Sequence, residues 1–220
     1  IGKFLGAQRA IADFAIYVFT GLTMWQLFSE SLTSATGSVV QNAGIVKKIY
    51  LPRQVFPLAS IGSVLFNFAI QFAILLTAAG LVRGFVFDER QLMPVLGFIN
   101  TLIWATGLAL FLSAQNVYFR DIQWFVEVVL MVGFWLSPIV YGWQHVADNA
   151  PAWATEIYLL NPVTLSVFGF QRGIWTAGGD APYPAYLELR LLASCLVGLV
   201  ILALGHRAFL RLQRNFAQEL

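Results

Sequence analysis

The sequence predicts an all-α protein that crosses a membrane several times. Hydrophobic residues make up 59% of the chain, charged residues 11%, and mean hydropathy is +0.73. A soluble domain is nearer half apolar and a quarter charged. The apolar residues gather into five runs, each close to the ~20 residues a bilayer span needs. Most charges fall between those runs.

The same totals exclude several classes. A net charge of +2, with basic residues scattered beside apolar runs, gives no nucleic-acid footprint. The one cysteine, Cys195, lies in an apolar run and reads as a small buried hydrophobe. No disulfide can close within the chain, and no Cys/His spacing suits a metal. There is no Gly-x-x-x-x-Gly-Lys-Ser/Thr loop, Gly-x-Ser-x-Gly elbow or His-Glu-x-x-His pair. His145 and His206 are far apart, and Asp88 and Glu89 are neighbours in a turn, so no acid/base pair is arranged. No catalytic residue is expected in this chain.

The chain begins at Ile1. Its first segment carries Lys3, Arg9 and Asp13 and is not a signal peptide. The first run is 14–40. Its front is richly apolar; its back half is small and hydroxylic (Ser29, Ser31, Thr33, Ser34, Thr36, Gly37, Ser38) and suits packing on other helices or a cavity wall. Glu30 within it is a functional candidate or a partner for a neighbouring helix.

Residues 41–57 form a short positive segment with Lys47, Lys48 and Arg53. Pro52 and Pro57 remove backbone donors, so a short helix, an extended turn and a new helix start are expected. Basic residues in a short loop between spans place it on the cytoplasmic side, as a topology anchor or as a surface on which a partner pushes.

The second run, 58–82, has no charge. Asn67 and Gln71 share one of its faces and either bond a neighbouring helix or line a substrate path. A polar loop at 83–91 leads to the third run, 92–117, with Trp104 near its middle. Tyr118-Phe-Arg-Asp121 turns the chain, with Arg120 and Asp121 as interface charges. The fourth run is 124–143, with Glu127 near its start and a kink or early end expected at Ser137-Pro138.

After the polar turn 142–151, two apolar pieces, 152–160 and 163–177, are broken by Asn161-Pro162. Each is too short to span. They are expected to form a re-entrant hairpin, buried in protein or lining a water-filled cavity. The fifth run is 185–204, followed by a basic tail with Arg207, Arg211 and Arg214. Five crossings put the tail inside with Lys47 and Lys48, and Ile1 outside.

Aromatic residues are plentiful. Trp143, Trp153, Tyr158, Trp175, Tyr183 and Tyr186 suit an outer interface belt. Trp25, Trp104, Tyr118, Trp124 and Trp135 lie in or near spans; they are the better candidates for stacking on a moving sugar. Glu30 and Glu127, without a clear basic partner, make a thin basis for an ion-coupled carrier or channel.

Four stretches together resemble the permeases of ABC-2 type transporters, in particular those exporting lipid-linked polysaccharides such as O-antigen, teichoic acid and galactan. They are Asn42-Ala-Gly-Ile-Val-Lys-Lys-Ile-Tyr-Leu-Pro-Arg53, Leu112-Ser-Ala-Gln-Asn-Val-Tyr-Phe-Arg-Asp-Ile122, Phe134-Trp-Leu-Ser-Pro-Ile-Val-Tyr141, and Leu160-Asn-Pro-Val163 with Gly169-Phe-Gln-Arg172. The resemblance implies a six-span fold, so an interface helix and a first span are expected before Ile1. It implies a permease homodimer carrying two ATPase subunits, with ATP and Mg on the partner and no cofactor on this chain. Lys47, Lys48, Tyr50 and Arg53, with Arg120 and Asp121 in the second turn, would contact the ATPase. Tyr141, Asn161, Pro162 and Arg172 would belong to the outer gate. Trp25, Glu30, Asn67, Gln71, Trp104, Tyr118, Trp124 and Trp135 would be drawn on for the path of a polysaccharide carried on polyprenyl diphosphate. The membrane would be the bacterial plasma membrane.

Overall fold

The computed structural model describes residues 13–47, 51–83, 91–175 and 183–219. Among these there are helices and no strand. The helices are α1 (Phe14–Gln41), α2 (Ala43–Val46), α3 (Val55–Arg83), α4 (Leu92–Tyr118), α5 (Ile122–Trp135), α6 (Trp143–Asn149), α7 (Ala152–Leu159), α8 (Pro162–Ile174), α9 (Leu187–Leu212), a 3-10 turn (Gln213–Asn215) and α10 (Phe216–Glu219).

Three helices are long and apolar enough to cross a bilayer: Val55–Val82, Leu92–Tyr118 and Leu187–Asn215. α1 is as long, at 28 residues. Its hydroxyl-rich back half keeps it below the apolarity of the others. Ahead of that half, Thr20 and Thr23 donate to the carbonyls four residues earlier, at 2.7 and 2.8 Å. Within it Ser38 donates to the Ala35 carbonyl at 2.7 Å, whereas the Ser31 and Thr36 hydroxyls are buried without a hydrogen-bond partner among the described residues.

α1 and α4 form the centre. α1 touches α3, α4, α5 and α8, and α4 touches α1, α8 and α9. α3 shows why a charge-free helix takes one orientation. Ile61, Val64, Phe68, Leu75 and Ala79 make a buried stripe, while Phe66, Ile70, Ile74 and Leu81 on other faces are exposed, as expected for lipid contact.

Close approach rather than burial must hold such helices, because lipid tails are as apolar as leucine. The α4–α9 seam is built that way. A Cβ on Gly205 would sit 2.2 Å from the Gly107 carbonyl oxygen, and one on Gly107 would meet the Leu202 backbone at 2.8 Å. The Trp104 indole lies over Gly198 and donates to the Ser194 carbonyl at 3.0 Å.

The fourth apolar run gives a shorter helix than its length suggests. α5 stops at Trp135, not at Trp143. Pro138 cannot donate and keeps Ser137 out of helical geometry, so the chain leaves as an irregular segment. The polar loop 84–90 and the segment 176–182 lie outside the described residues.

Candidate functional site

Two ends of the bundle carry the features singled out above. At the loop end meet the end of α1, α2, the start of α3, the end of α4, the start of α5 and the tail after α9. The segment 41–57 folds as its prolines dictate. α2 is one turn, Leu51 and Pro52 are non-helical, and α3 starts at Val55 with Pro57 in its first turn, where a missing N–H costs nothing.

Val46 and Phe56 from this segment pack with Val117 and Tyr118 of α4, with Phe209 of α9 and with Phe216 of the tail. Arg53 is fixed within that cluster. Its Nη1 donates to the Gln213 carbonyl, and its guanidinium lies 5.8 Å from the centre of the Phe216 ring. The Tyr118 hydroxyl donates to the Leu212 carbonyl at 2.8 Å. Loop, α4 and tail are thus one assembly.

Of the expected coupling residues, Lys47 is exposed, and Arg120 and Asp121 are exposed in the α4–α5 turn. Arg53 is turned inward onto the tail. Lys48 and Tyr50 lie outside the described residues.

The eight expected path residues do not converge. Trp25 and Trp135 line a groove of about 340 Å³ between α1 and α5, with Ser29, Thr33 and Glu127. The Trp25 ring meets Phe134 edge-on at 5.8 Å. Glu30 is on the same helix and accepts from Gln26 at 2.6 Å. Trp124 projects from α5, 71% exposed. Asn67 is exposed on α3 and Gln71 half-buried. Trp104 is spent on the α4–α9 seam, and Tyr118 on the tail.

At the opposite, hairpin end the irregular segment after α5 is held by side chains from two helices. The Tyr17 hydroxyl donates to the Tyr141 carbonyl at 2.8 Å, with the Pro138 carbonyl also within reach at 3.1 Å. Gln171 Nε2 donates to the Pro138 carbonyl at 2.9 Å. Non-helical backbone at membrane depth needs such partners.

The two apolar pieces fold as α7 and α8; of α7 only Leu159 is buried. Asn161 caps α8, its Oδ1 accepting from the Val163 amide at 3.0 Å, and Pro162 takes the first helical position, where its missing N–H is harmless. Every residue from Val163 to Gln171 is buried. α8 is therefore enclosed in protein. Against α4 it packs backbone to backbone: a Cβ on Gly97 would be 2.8 Å from the Ser166 carbonyl oxygen, and one on Gly169 would be 2.9 Å from that of Met93. Asn100 seals the contact, donating to the Pro162 carbonyl at 3.0 Å and to Ser166 Oγ at 2.9 Å.

Of the four expected gate residues, Asn161 and Pro162 start α8, and Arg172 stands in its last turn, about 15 Å further along the helix. The Tyr141 hydroxyl donates to the Trp135 carbonyl and touches the Tyr158 hydroxyl at 3.2 Å. Arg172 lies 4.0 Å from Glu188 and over the Tyr183 ring. α7 is strapped to α9 by a two-pronged pair, with Arg190 Nη1 and Nη2 at 2.9 and 3.0 Å from the Glu156 oxygens. The Arg190 guanidinium holds the Glu156 carboxyl below its ordinary range.

Sequence reasoning did not single out Tyr17, Asn100, Gln171 or the Glu156–Arg190 pair. Gln171 stood inside the quoted Gly-Phe-Gln-Arg motif, and Asn100 stood with Thr101 in an otherwise apolar stretch. Among the described residues no cluster of His, Cys, Asp and Glu could hold a metal.

These features define a polytopic, all-helical membrane protein with a broken helical hairpin packed into one end and a docked loop at the other. The profile of the ABC-2 type transporter family matches residues 2–175, and the chain belongs to that family. It is 26% identical over 216 residues to an O-antigen export system permease protein RfbA of Klebsiella pneumoniae, covering 96% of this chain and 77% of the relative. A second protein of that description from the same organism is 25% identical over the same shares. One from Myxococcus xanthus is 27% identical over 165 residues, covering 74% of this chain and 62% of the relative.

Proposed function

We propose that this chain is the transmembrane subunit of an ATP-driven exporter that moves a cell-envelope polysaccharide, carried on polyprenyl diphosphate, across the bacterial plasma membrane. The cargo is O-antigen or a galactan- or teichoic-acid-like glycan. The observation that carries the reading is likeness over 96% of the chain to permeases named for O-antigen export. The docked 51–57 segment supports it, since a loop fixed to α4 and the tail can pass a push to two helices at once.

In this reading two copies of the permease carry a separate nucleotide-binding subunit, which holds ATP and Mg. Lys47, Lys48 and Tyr50, with Arg120 and Asp121, meet that subunit; Arg53 acts from behind, keeping the loop attached. Asn161, Pro162, Tyr141 and Arg172 belong to the exit gate.

Depleting the chain in its host tests the proposal. Surface glycan is expected to fall while its lipid-linked precursor accumulates inside, and an ATPase with a Walker motif is expected to co-purify. Unchanged surface glycan would point instead to a drug, peptide or simple lipid as cargo. Transport by the purified chain alone, without an ATPase, would remove the ATP-driven reading.

A further inference from the structure

A second groove, of about 560 Å³, runs along the outside of the α4–α9 seam towards the loop end. Its floor is the contact of Gly107 with Gly205. Its walls are apolar: Leu108 and Phe111 from α4, Leu204 and Ala208 from α9. Phe111 is 40% exposed and Leu204 54% exposed, so no part of the described chain covers them. The rim towards the tail carries Arg207 and Arg211, four apart and on one helix face.

Both arginines are exposed, and among the described residues neither has a carboxylate within ion-pair distance. Of the other arginines at this end, Arg53 is engaged by Gln213 and Phe216, while Arg120 and Arg214 are exposed away from the groove lining. α9 has 26 residues and is about 39 Å long, which exceeds the ~30 Å hydrocarbon layer. Its last turn therefore stands among headgroups. Arg207, one turn deeper, reaches the same level by extending its side chain.

An apolar trough ending in two unpaired guanidiniums is complementary to one kind of molecule, with an alkyl chain and an anionic phosphate head. We propose that the α4–α9 groove holds one anionic phospholipid, its acyl chain against Phe111 and Leu204 and its phosphate on Arg207 and Arg211. Guanidinium forks bind phosphate oxygens in pairs, which favours arginine over lysine here. The groove volume falls within the range of small-molecule sites.

The test places a photoreactive benzophenone amino acid at position 111 of the full permease, in cells that lack the lipid-linked glycan and its carrier diphosphate. The mass of the adduct identifies the occupant. An anionic phospholipid, enriched over zwitterionic lipid relative to the bulk membrane, is expected. Each arginine near the membrane surface is worth about a fivefold preference for negative lipid. R207Q with R211Q should therefore lower the enrichment about 25-fold, and R207K with R211K should keep part of it.

Lipid titration of the unsubstituted protein by native mass spectrometry reads the same preference without relying on a variant. Zwitterionic lipid in bulk proportion, an adduct to protein (a second copy, an ATPase or another part of this chain), no adduct, or enrichment unchanged in R207Q/R211Q would each overturn the proposal.

Discussion

Tyr17 is the side chain whose smallest change should be felt furthest away. It is 3% exposed, and its hydroxyl serves carbonyls on the segment after α5. Tyr17→Phe leaves the ring in place and strips the Tyr141 carbonyl of its donor. A buried acceptor left bare costs about 1–3 kcal/mol. Thermal unfolding in detergent should shift down accordingly, with hydrogen exchange rising first in residues 136–142; an unchanged melting point would show that water or lipid takes over the role. This contact was hidden in the sequence for a physical reason. Its acceptors are main-chain carbonyls 121 and 124 positions away, and no pattern of side chains announces a carbonyl partner. The same holds for Trp104 and Tyr118. Both looked available for stacking on a sugar, and both spend their polar atom on a backbone oxygen within the chain.

At the scale of elements, hydropathy gave the runs that became α1, α3, α4 and α9, because length and apolarity are what a span requires. It was poorer at ends. α5 stops early, as Ser137-Pro138 announced although the apolar run goes on to 143, whereas α9 runs on past 204 through Arg207 and Arg211, since arginine is a good helix former. The interruption at Asn161-Pro162 was fully legible as a cap followed by a first-turn proline. Helix pairing was not: Gly107 and Gly205 lie in separate runs, and only the fold sets them against each other. Gly205→Ala should force α4 and α9 apart, because its methyl would enter the Gly107 carbonyl. Overpacking of this kind costs about 1–3 kcal/mol. Gly62→Ala, with nothing within 4 Å in the chain, is the control and should unfold at or above the wild-type temperature. Equal melting points for the two variants would mean that the seam is looser than its geometry.

For the whole molecule, the docked loop makes a prediction about coupling. Lys47 faces outward, while Arg53 behind it is fixed to the tail. Reversing charge with Lys47→Glu and Lys48→Glu should leave folding intact and weaken the response of a bound ATPase to the permease, about fivefold or more if each lysine contributes on the scale of an interfacial charge pair. ATP turnover by the reconstituted complex, with and without cargo lipid, measures it. An undiminished response would shift the contact to Arg120 and Asp121.

Both hydrogen bonds that fasten the tail, from Arg53 and from Tyr118, end on main-chain oxygens, those of Gln213 and Leu212. Every amino acid carries that oxygen. Position 213 is therefore free to drift through many residue types without loosening the fastening, provided the peptide keeps its course, while at 212 the leucine side chain also packs into the cluster. At 216, where an aromatic ring lies under the guanidinium, identity matters more still.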